Sequence, residues 1–294
     1  MYIDGVFSGG GVRGYALVGA YQTLEKNGFV FKRLAGTSAG ALIAALISAG
    51  YKGEELCQLL KQLNLSEFLD ERRTFIQFPL AKWLFLYWRM GLYKGDQLEK
   101  WVNHHLATKG VRTFGDLPPG SLKIVASDLT NGRILILPDD LKIYGIDPSS
   151  FPVAKAVRMS CGLPYFFEPV KLRTKKGSCY IVDGGVLSNF PIWLFDQDET
   201  KKVRPVIGVK LSPKTSERPK KKIANAFALF EALFQTMKEA HDSRYISRKH
   251  EKNIIFIPTA NLIATDFHIT EEQKEALIEL GKKKAEAFLM KWSY

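Results

Sequence analysis

Two glycine-flanked turns near the start of the chain, Gly9-Gly10-Gly11-Val12-Arg13-Gly14 and Gly36-Thr37-Ser38-Ala39-Gly40, constrain its fold more than any other feature. Each follows a short β-type run and opens a helical stretch. Before the second turn, residues 29–35 are apolar and β-prone; after it, residues 41–49 read as a buried helix stopped by Gly50. Two strand-turn-helix units in succession imply neighbouring strands of one sheet, with both turns at the same edge. Further strands are expected at residues 122–126, 134–137, 180–182, 206–211 and 254–257, separated by helical stretches. That alternation predicts an α/β fold, a three-layer helix-sheet-helix sandwich with a mostly parallel central sheet.

The second turn has the spacing of a nucleophile elbow. Gly36 and Gly40 leave room for a sharp strand-to-helix turn, and the following helix points its positive end at Ser38. An inert serine in a tight turn has the same local pattern, so the pattern alone leaves both readings open. The first turn also fits a dinucleotide fingerprint through Gly9, Gly11 and Gly14. That reading needs an acidic residue after the second strand to hold a ribose, and this strand runs into Leu34-Ala35-Gly36 and the serine turn instead. Arg13 in the first turn of a helix opposes the helix dipole and calls for an anion, a buried carboxylate in preference to a ligand phosphate.

A nucleophilic serine needs a base. None of the five histidines, His104, His105, His241, His250 and His268, stands in a loop of the kind that presents a catalytic imidazole. His104 and His105 fall in a helix expected over residues 96–107, where adjacent side chains diverge, and read as surface or packing residues. Asp183 is the better candidate, since Ile181-Val182-Asp183-Gly184-Gly185 is an apolar strand ending in a carboxylate and two glycines. Taken alone, the same run is an ordinary Asp-Gly turn.

In combination and in this order, Gly-Gly-Gly-Val-Arg-Gly, Gly-Thr-Ser-Ala-Gly and Asp-Gly-Gly resemble the patatin-like phospholipase family. Gly91-Leu92-Tyr93-Lys94-Gly95-Asp96, Ala126-Ser127-Asp128-Leu129, Met159-Ser160-Cys161-Gly162-Leu163-Pro164 and Asn189-Phe190-Pro191 extend the resemblance, which covers roughly residues 3–211. One departure is Ser8, where many members carry aspartate before the glycines; it puts a local turn contact in doubt more than the chemistry. The resemblance implies a Ser-Asp dyad in which Ser38 attacks an ester carbonyl and Asp183 serves as general base and acid. It also implies an oxyanion hole from the backbone N–H groups of Gly10 and Gly11 together with Gly9. Arg13, Gly14, Gly36, Gly40, Gly184 and Gly185 are expected in supporting positions, and neither metal nor cofactor is expected.

Composition sets the surroundings. A chain of 294 residues, 46% hydrophobic and without a linker-like segment or repeat, can bury one large core over residues 1–294. Within it, residues 67–93 form a candidate lid or membrane-facing segment, and residues 220–294 supply C-terminal helices and the last strand. Cys57, Cys161 and Cys179 have no metal-ligand spacing and suit a reducing compartment. The N-terminus enters a strand without a signal-like core, so a cytoplasmic location is expected, with peripheral attachment to the inner face of a membrane.

The net charge of +12 calls for an anionic partner, and no nucleic-acid motif accompanies it. Basic clusters at 171–176, 214–222 and 282–284 suit an anionic lipid surface, solvated faces being the plainer reading. Residues 74–93 are nearly long enough to span a bilayer, but Pro79, Lys82 and Arg89 divide them, and a charge at the bilayer centre costs about 3 kcal/mol. Their aromatic content suits a headgroup boundary or a flap over an acyl groove as well as core packing. Ile223, Phe227, Phe230, Phe234 and Met237 step at helical spacing and read as a core-facing stripe, with membrane docking the alternative. A final helix from Thr270, capped through Gln273, should run toward Lys291. The functional expectation is a lipid acyl hydrolase acting on phospholipid or related lipid esters. A general carboxylesterase or lysophospholipase, and a lipid-binding module with a dormant site, remain alternatives.

Overall fold

The computed structural model describes residues 1–71, 86–174, 177–195, 204–212, 223, 226–246, 251–259 and 267–292. Their strands are β1 (Tyr2–Phe7), β2 (Val30–Thr37), β3 (Gly91–Tyr93), β4 (Leu122–Asp128), β5 (Arg133–Leu137), β6 (Tyr165–Phe167), β7 (Val170–Thr174), β8 (Gly177–Asp183), β9 (Val206–Lys210) and β10 (Ile254–Phe256). The helices of eight or more residues are α1 (Tyr15–Lys26), α2 (Ala39–Ser48), α3 (Gly53–Gln62), α4 (Asp96–Thr108), α5 (Val153–Ser160), α6 (Ala226–Tyr245) and α7 (Glu271–Leu289).

The central sheet runs β10-β9-β1-β2-β4-β8-β7, with β5 on the second edge of β4. From β10 to β4 every pairing is parallel, whereas β8, β7 and β5 join antiparallel. Strands covered on both faces read as continuous apolar runs, and β1 from Ile3 to Phe7 is wholly buried. Its residues alternate between faces: Ile3 and Phe7 join the large core containing α1, α2, α3, α5 and α7, while Val6 joins a second cluster with Phe190, Ile192 and Phe195. A sheet covered on both sides is the expected three-layer arrangement. The one charge inside β1, Asp4, is clamped by Arg33 at 2.6 Å and Arg204 at 3.1 Å.

All seven expected strands occur. The three that the sequence reading missed, β3, β6 and β7, have physical reasons for being hard to see. β3 and β6 are three-residue strands that form a small sheet of their own, with Tyr93 of β3 also bridging Glu71. β7 carries the described part of the first basic cluster, with Leu172 buried and Lys171 and Arg173 exposed, so these two cations are the solvent face of a strand, while Lys175 and Lys176 lie outside the described residues.

The helical stripe expected to face the core does not do so throughout. Ile223 and Met237 are exposed, and the outward row of α6 is Leu229, Leu233 and Met237. Its inward row is Phe234, Lys238 and Asp242, two of them charged. Lys210 of β9 pairs with Asp242, which also accepts the Phe190 N–H at 2.9 Å. Apolar spacing misjudged this helix because its buried face is polar and paired. The side chains of Phe227 and Phe230 lie outside the described residues, as do residues 72–85 of the 67–93 segment and the whole 214–222 cluster. At the edge of the former, Tyr87 and Trp88 are exposed. Among the described residues no helix is long and apolar enough to cross a membrane.

Candidate active site

The site is assembled on β4, and its geometry follows from register. Thr37, the last residue of β2, pairs with Val125, and Asp183, the last residue of β8, pairs with Ala126. Val125 and Ala126 both meet β5 on their other edge, so β2 and β8 share one edge of β4. Being parallel and antiparallel to β4 respectively, they run toward each other and end on adjacent residues. Ser38 and Asp183, separated by most of the sheet-forming sequence, therefore face each other across this junction. The Ser38 hydroxyl interacts with the Asp183 carboxylate and with the Cys161 thiol.

Ser38 has φ 54°, a left-handed conformation that costs a non-glycine residue about 1–3 kcal/mol. Its surroundings impose it. The Ser38 N–H donates to Ser160 Oγ at 2.8 Å, and Ser160 in turn donates to the Val125 carbonyl at 2.6 Å. The flanking glycines are demanded by close approach: a Cβ on Gly36 would fall 2.3 Å from the Gly40 carbonyl oxygen, and one on Gly40 would fall 2.2 Å from that of Phe7. Gly40 is thus where the second turn presses on the end of β1, which brings the two glycine turns side by side.

The first turn is braced so that two of its amides remain available. The Gly9 N–H is taken by the Asn189 carbonyl at 3.0 Å. The Gly9 carbonyl faces Asn189 Nδ2 at 3.5 Å, and the Gly10 carbonyl accepts from Arg13 Nε at 3.2 Å and from the Arg13 N–H at 3.3 Å. Because a peptide is planar and trans, fixing those two carbonyls turns the N–H groups of Gly10 and Gly11 the opposite way. No acceptor for either amide is recorded among the described residues. Arg13 holds the Gly10 carbonyl through Nε. Gly14 packs against the first residue of α2, and Ser8 ties the turn to β9 by accepting the Leu211 N–H at 2.9 Å.

Asp183 is buried at 2% exposure, and burial raises its carboxyl above the usual range. The Lys238 cation, the Ser38 hydroxyl and the Gly185 N–H, which donates to Oδ1 at 2.7 Å, act in the opposite sense. None of these groups is an imidazole. Gly184 and Gly185 follow in a tight 3-10 turn, and Gly184 lies against the Val125 carbonyl. His105, half-buried against the Trp101 ring, and exposed His104 lie on α4, as packing and surface residues. Among the described residues no group of three or more His, Cys, Asp or Glu could hold a metal ion.

Four contributors escaped the sequence reading. Ser160 and Asn189 lie in motifs noticed for their resemblance alone, without a role. Cys161 was taken only as a reduced thiol, and burial beside Asp183 raises its pKa. Lys238 was not singled out, and only its spacing of four from Phe234 and from Asp242 hinted at a shared helix face.

A family profile described as patatin-like phospholipase matches residues 5–196. Over 294 residues, covering both chains in full, the sequence is 58% identical to the uncharacterized protein YqhO of Bacillus subtilis strain 168. It is 27% identical over 195 residues to the probable lipid hydrolase 463L of Invertebrate iridescent virus 6, covering 64% of this chain and 61% of that one. Among solved structures, VipD from Legionella pneumophila matches with a TM-score of 0.58 at 18% identity, over 98% of this chain and 66% of that chain. The chain thus spans less than two thirds of the length of these last two proteins, and the likeness to VipD is one of fold.

Proposed function

Since this chain belongs to the patatin-like phospholipase family, we propose that it is a lipid acyl hydrolase cleaving carboxylic esters of phospholipids or related lipids, with Ser38 as nucleophile and Asp183 as the single base and acid. The observation that carries this reading is the head-on meeting of β2 and β8 on β4, which sets the Ser38 hydroxyl against a buried carboxylate. A serine on a strained strand-to-helix turn, with a base in reach and free amides from a neighbouring turn, has the parts that acyl transfer needs.

In the first half-reaction Ser38 Oγ attacks the ester carbonyl carbon while its proton passes to Asp183. The Gly10 and Gly11 N–H groups stabilise the oxyanion, with Gly9 serving by its engaged amide as a brace. Collapse of the tetrahedral intermediate breaks the bond to the leaving alkoxide, which takes the proton from Asp183 and departs as the lysolipid or alcohol. Asp183, again ionised, then deprotonates a water that attacks the acyl-enzyme, releasing fatty acid and restoring Ser38. The ordinary obstacle is that a solvated carboxylate is a weak base, and the burial that raises Asp183 lessens it.

An anionic membrane surface is the proposed place of action. The net charge of +12 and the exposed apolar groups Tyr87, Trp88, Leu229, Leu233 and Met237 support it. The test of the nucleophile is an activity-based one: a fluorophosphonate probe should label the protein on the peptide containing Ser38, and Ser38→Ala should abolish that labelling. Absence of labelling in the wild-type protein would favour a lipid-binding module with a dormant site.

A further inference from the structure

Helix α6 turns Phe234, Lys238 and Asp242 toward the sheet at one-turn spacing. Asp242 is accounted for by Lys210 and by the Phe190 N–H, contacts that fix the helix to β9 and to the turn after Asp183. Lys238 is half-buried, with Nζ 4.3 Å from the centre of the Phe234 ring. A Cβ on Gly185 would lie 2.9 Å from Lys238 Nζ and 2.8 Å from Asp183 Oδ1. The ammonium and the carboxylate therefore crowd the same side of Gly185, within about 6 Å of each other, the range in which opposite charges favour one another. A side chain at Gly185 would occupy the space through which they face.

We infer that Lys238 is a positioning residue of the acyl-transfer site, whose ammonium holds the buried Asp183 carboxylate in its charged form. This rests on the Ser38–Asp183 reading and adds a third side chain to it. A dyad without an imidazole has two conflicting needs. Burial must make the carboxylate basic enough to take the serine proton, yet burial alone would leave it protonated at neutral pH and unable to act. A cation beside the carboxylate, on the same side of Gly185, reconciles the two, bringing Asp183 toward the range in which a general base works best.

The other groups around the pair do not supply this charge. Asp183 is faced by the Ser38 hydroxyl from the elbow, by the Gly185 N–H, by the Cys161 thiol at the end of α5 and by Lys238 from α6. Burial pushes the Lys238 ammonium below its ordinary value; Asp183 and Asp242 act to keep it charged, while Arg13 from the first glycine turn and Lys210 add to the lowering. His241 lies three residues along the same helix and is half-buried. Since Asp242 is already paired with Lys210, Asp183 is, among the described residues that face Lys238, the carboxylate left for it to balance.

The experiment is the pH dependence of fluorophosphonate labelling of Ser38 from about pH 5 to about pH 9, in the full chain and in Lys238→Met and Lys238→Arg. Loss of the cation should move the acid midpoint up by about one pH unit or more, so that labelling on the acid limb falls about tenfold. Lys238→Arg should return the midpoint most of the way to the wild-type value. Lys238→Gln carries the same expectation as Lys238→Met should the latter not fold. An unmoved midpoint, with the rate either unchanged or lowered equally at every pH, overturns the inference by reducing Lys238 to a packing residue. A raised KM for phospholipid with an unmoved midpoint also overturns it, assigning Lys238 to substrate binding. Failure of the wild-type protein to label at Ser38 refutes the dyad itself and is distinct from both.

Discussion

Replacing Ser160 by alanine tests the elbow without touching either member of the proposed dyad. Ser160 is fully buried and bridges two backbone groups: its Oγ accepts the Ser38 N–H at 2.8 Å and donates to the Val125 carbonyl at 2.6 Å. Alanine leaves both without a partner in a place water does not reach. Each buried orphan costs about 1–3 kcal/mol, so the pair should cost about 2–6 kcal/mol if the turn holds its shape. The strain stored at Ser38 is of the same size, about 1–3 kcal/mol, so the turn gains by relaxing away from φ 54° once its tether is gone. At about 2.1 cal/mol/K per residue over a chain of this length, a loss of about 3 kcal/mol lowers the melting midpoint by roughly 5 °C. A nucleophile displaced by even a fraction of an ångström should label about tenfold to a hundredfold more slowly. Thermal unfolding followed by circular dichroism, read beside the fluorophosphonate labelling rate, checks both. A lowered midpoint with wild-type labelling would refute the claim that Ser160 holds the nucleophile, and no change in either would refute the hydrogen-bond argument altogether.

The raised carboxyl of Asp183 gives pH effects of opposite sign. Acidification through its midpoint protonates the base, so hydrolysis falls while this group's burial penalty on stability is relieved; an acid limb of the rate profile at the ordinary carboxylate value of about 3.9 would contradict this. Arg13→Met, which removes the Nε donor and leaves the Gly10 carbonyl only the residue-13 N–H, should lower kcat about tenfold with little change in KM, because an oxyanion donor acts on the transition state; a change confined to KM would count against it. Asp242→Ala leaves Lys210 buried without its partner and should cost about 3–5 kcal/mol in urea unfolding, whereas a loss below about 1 kcal/mol would mean that water reaches the pair.

What was legible in the sequence was local. Gly36, Ser38 and Gly40 stand within five residues, and the elbow they make is set by sterics among themselves and the end of β1. The strands of the parallel core showed themselves through short apolar runs, as in Ile254-Ile255-Phe256-Ile257. Asp183 was visible as a carboxylate ending a strand, but the role proposed for it came only with the ordered set of motifs. What stayed hidden depends on pairing over long separations. Ser160 meets Ser38 across 122 residues, and Asn189 meets Gly9 across 180. Neither contact leaves a periodic trace. Lys238 and Asp242 were hidden for a further reason: buried charges that are paired look, in sequence, like the solvent face of a helix, and so the exposed Met237 was assigned inward beside Phe234 while they were not.

The most direct test of the account is hydrolysis by Asp183→Asn. Asparagine keeps the size of the side chain and an oxygen for the Gly185 N–H but cannot take a proton from Ser38. Purified wild-type, Ser38→Ala and Asp183→Asn proteins would be incubated with vesicles of defined phosphatidylglycerol and phosphatidylcholine, and released fatty acid and lysolipid counted by mass spectrometry. The account predicts product from the wild-type protein and a loss of at least about a thousandfold in each folded variant. Turnover by Asp183→Asn within about tenfold of wild type would contradict the claim that this carboxylate is the base.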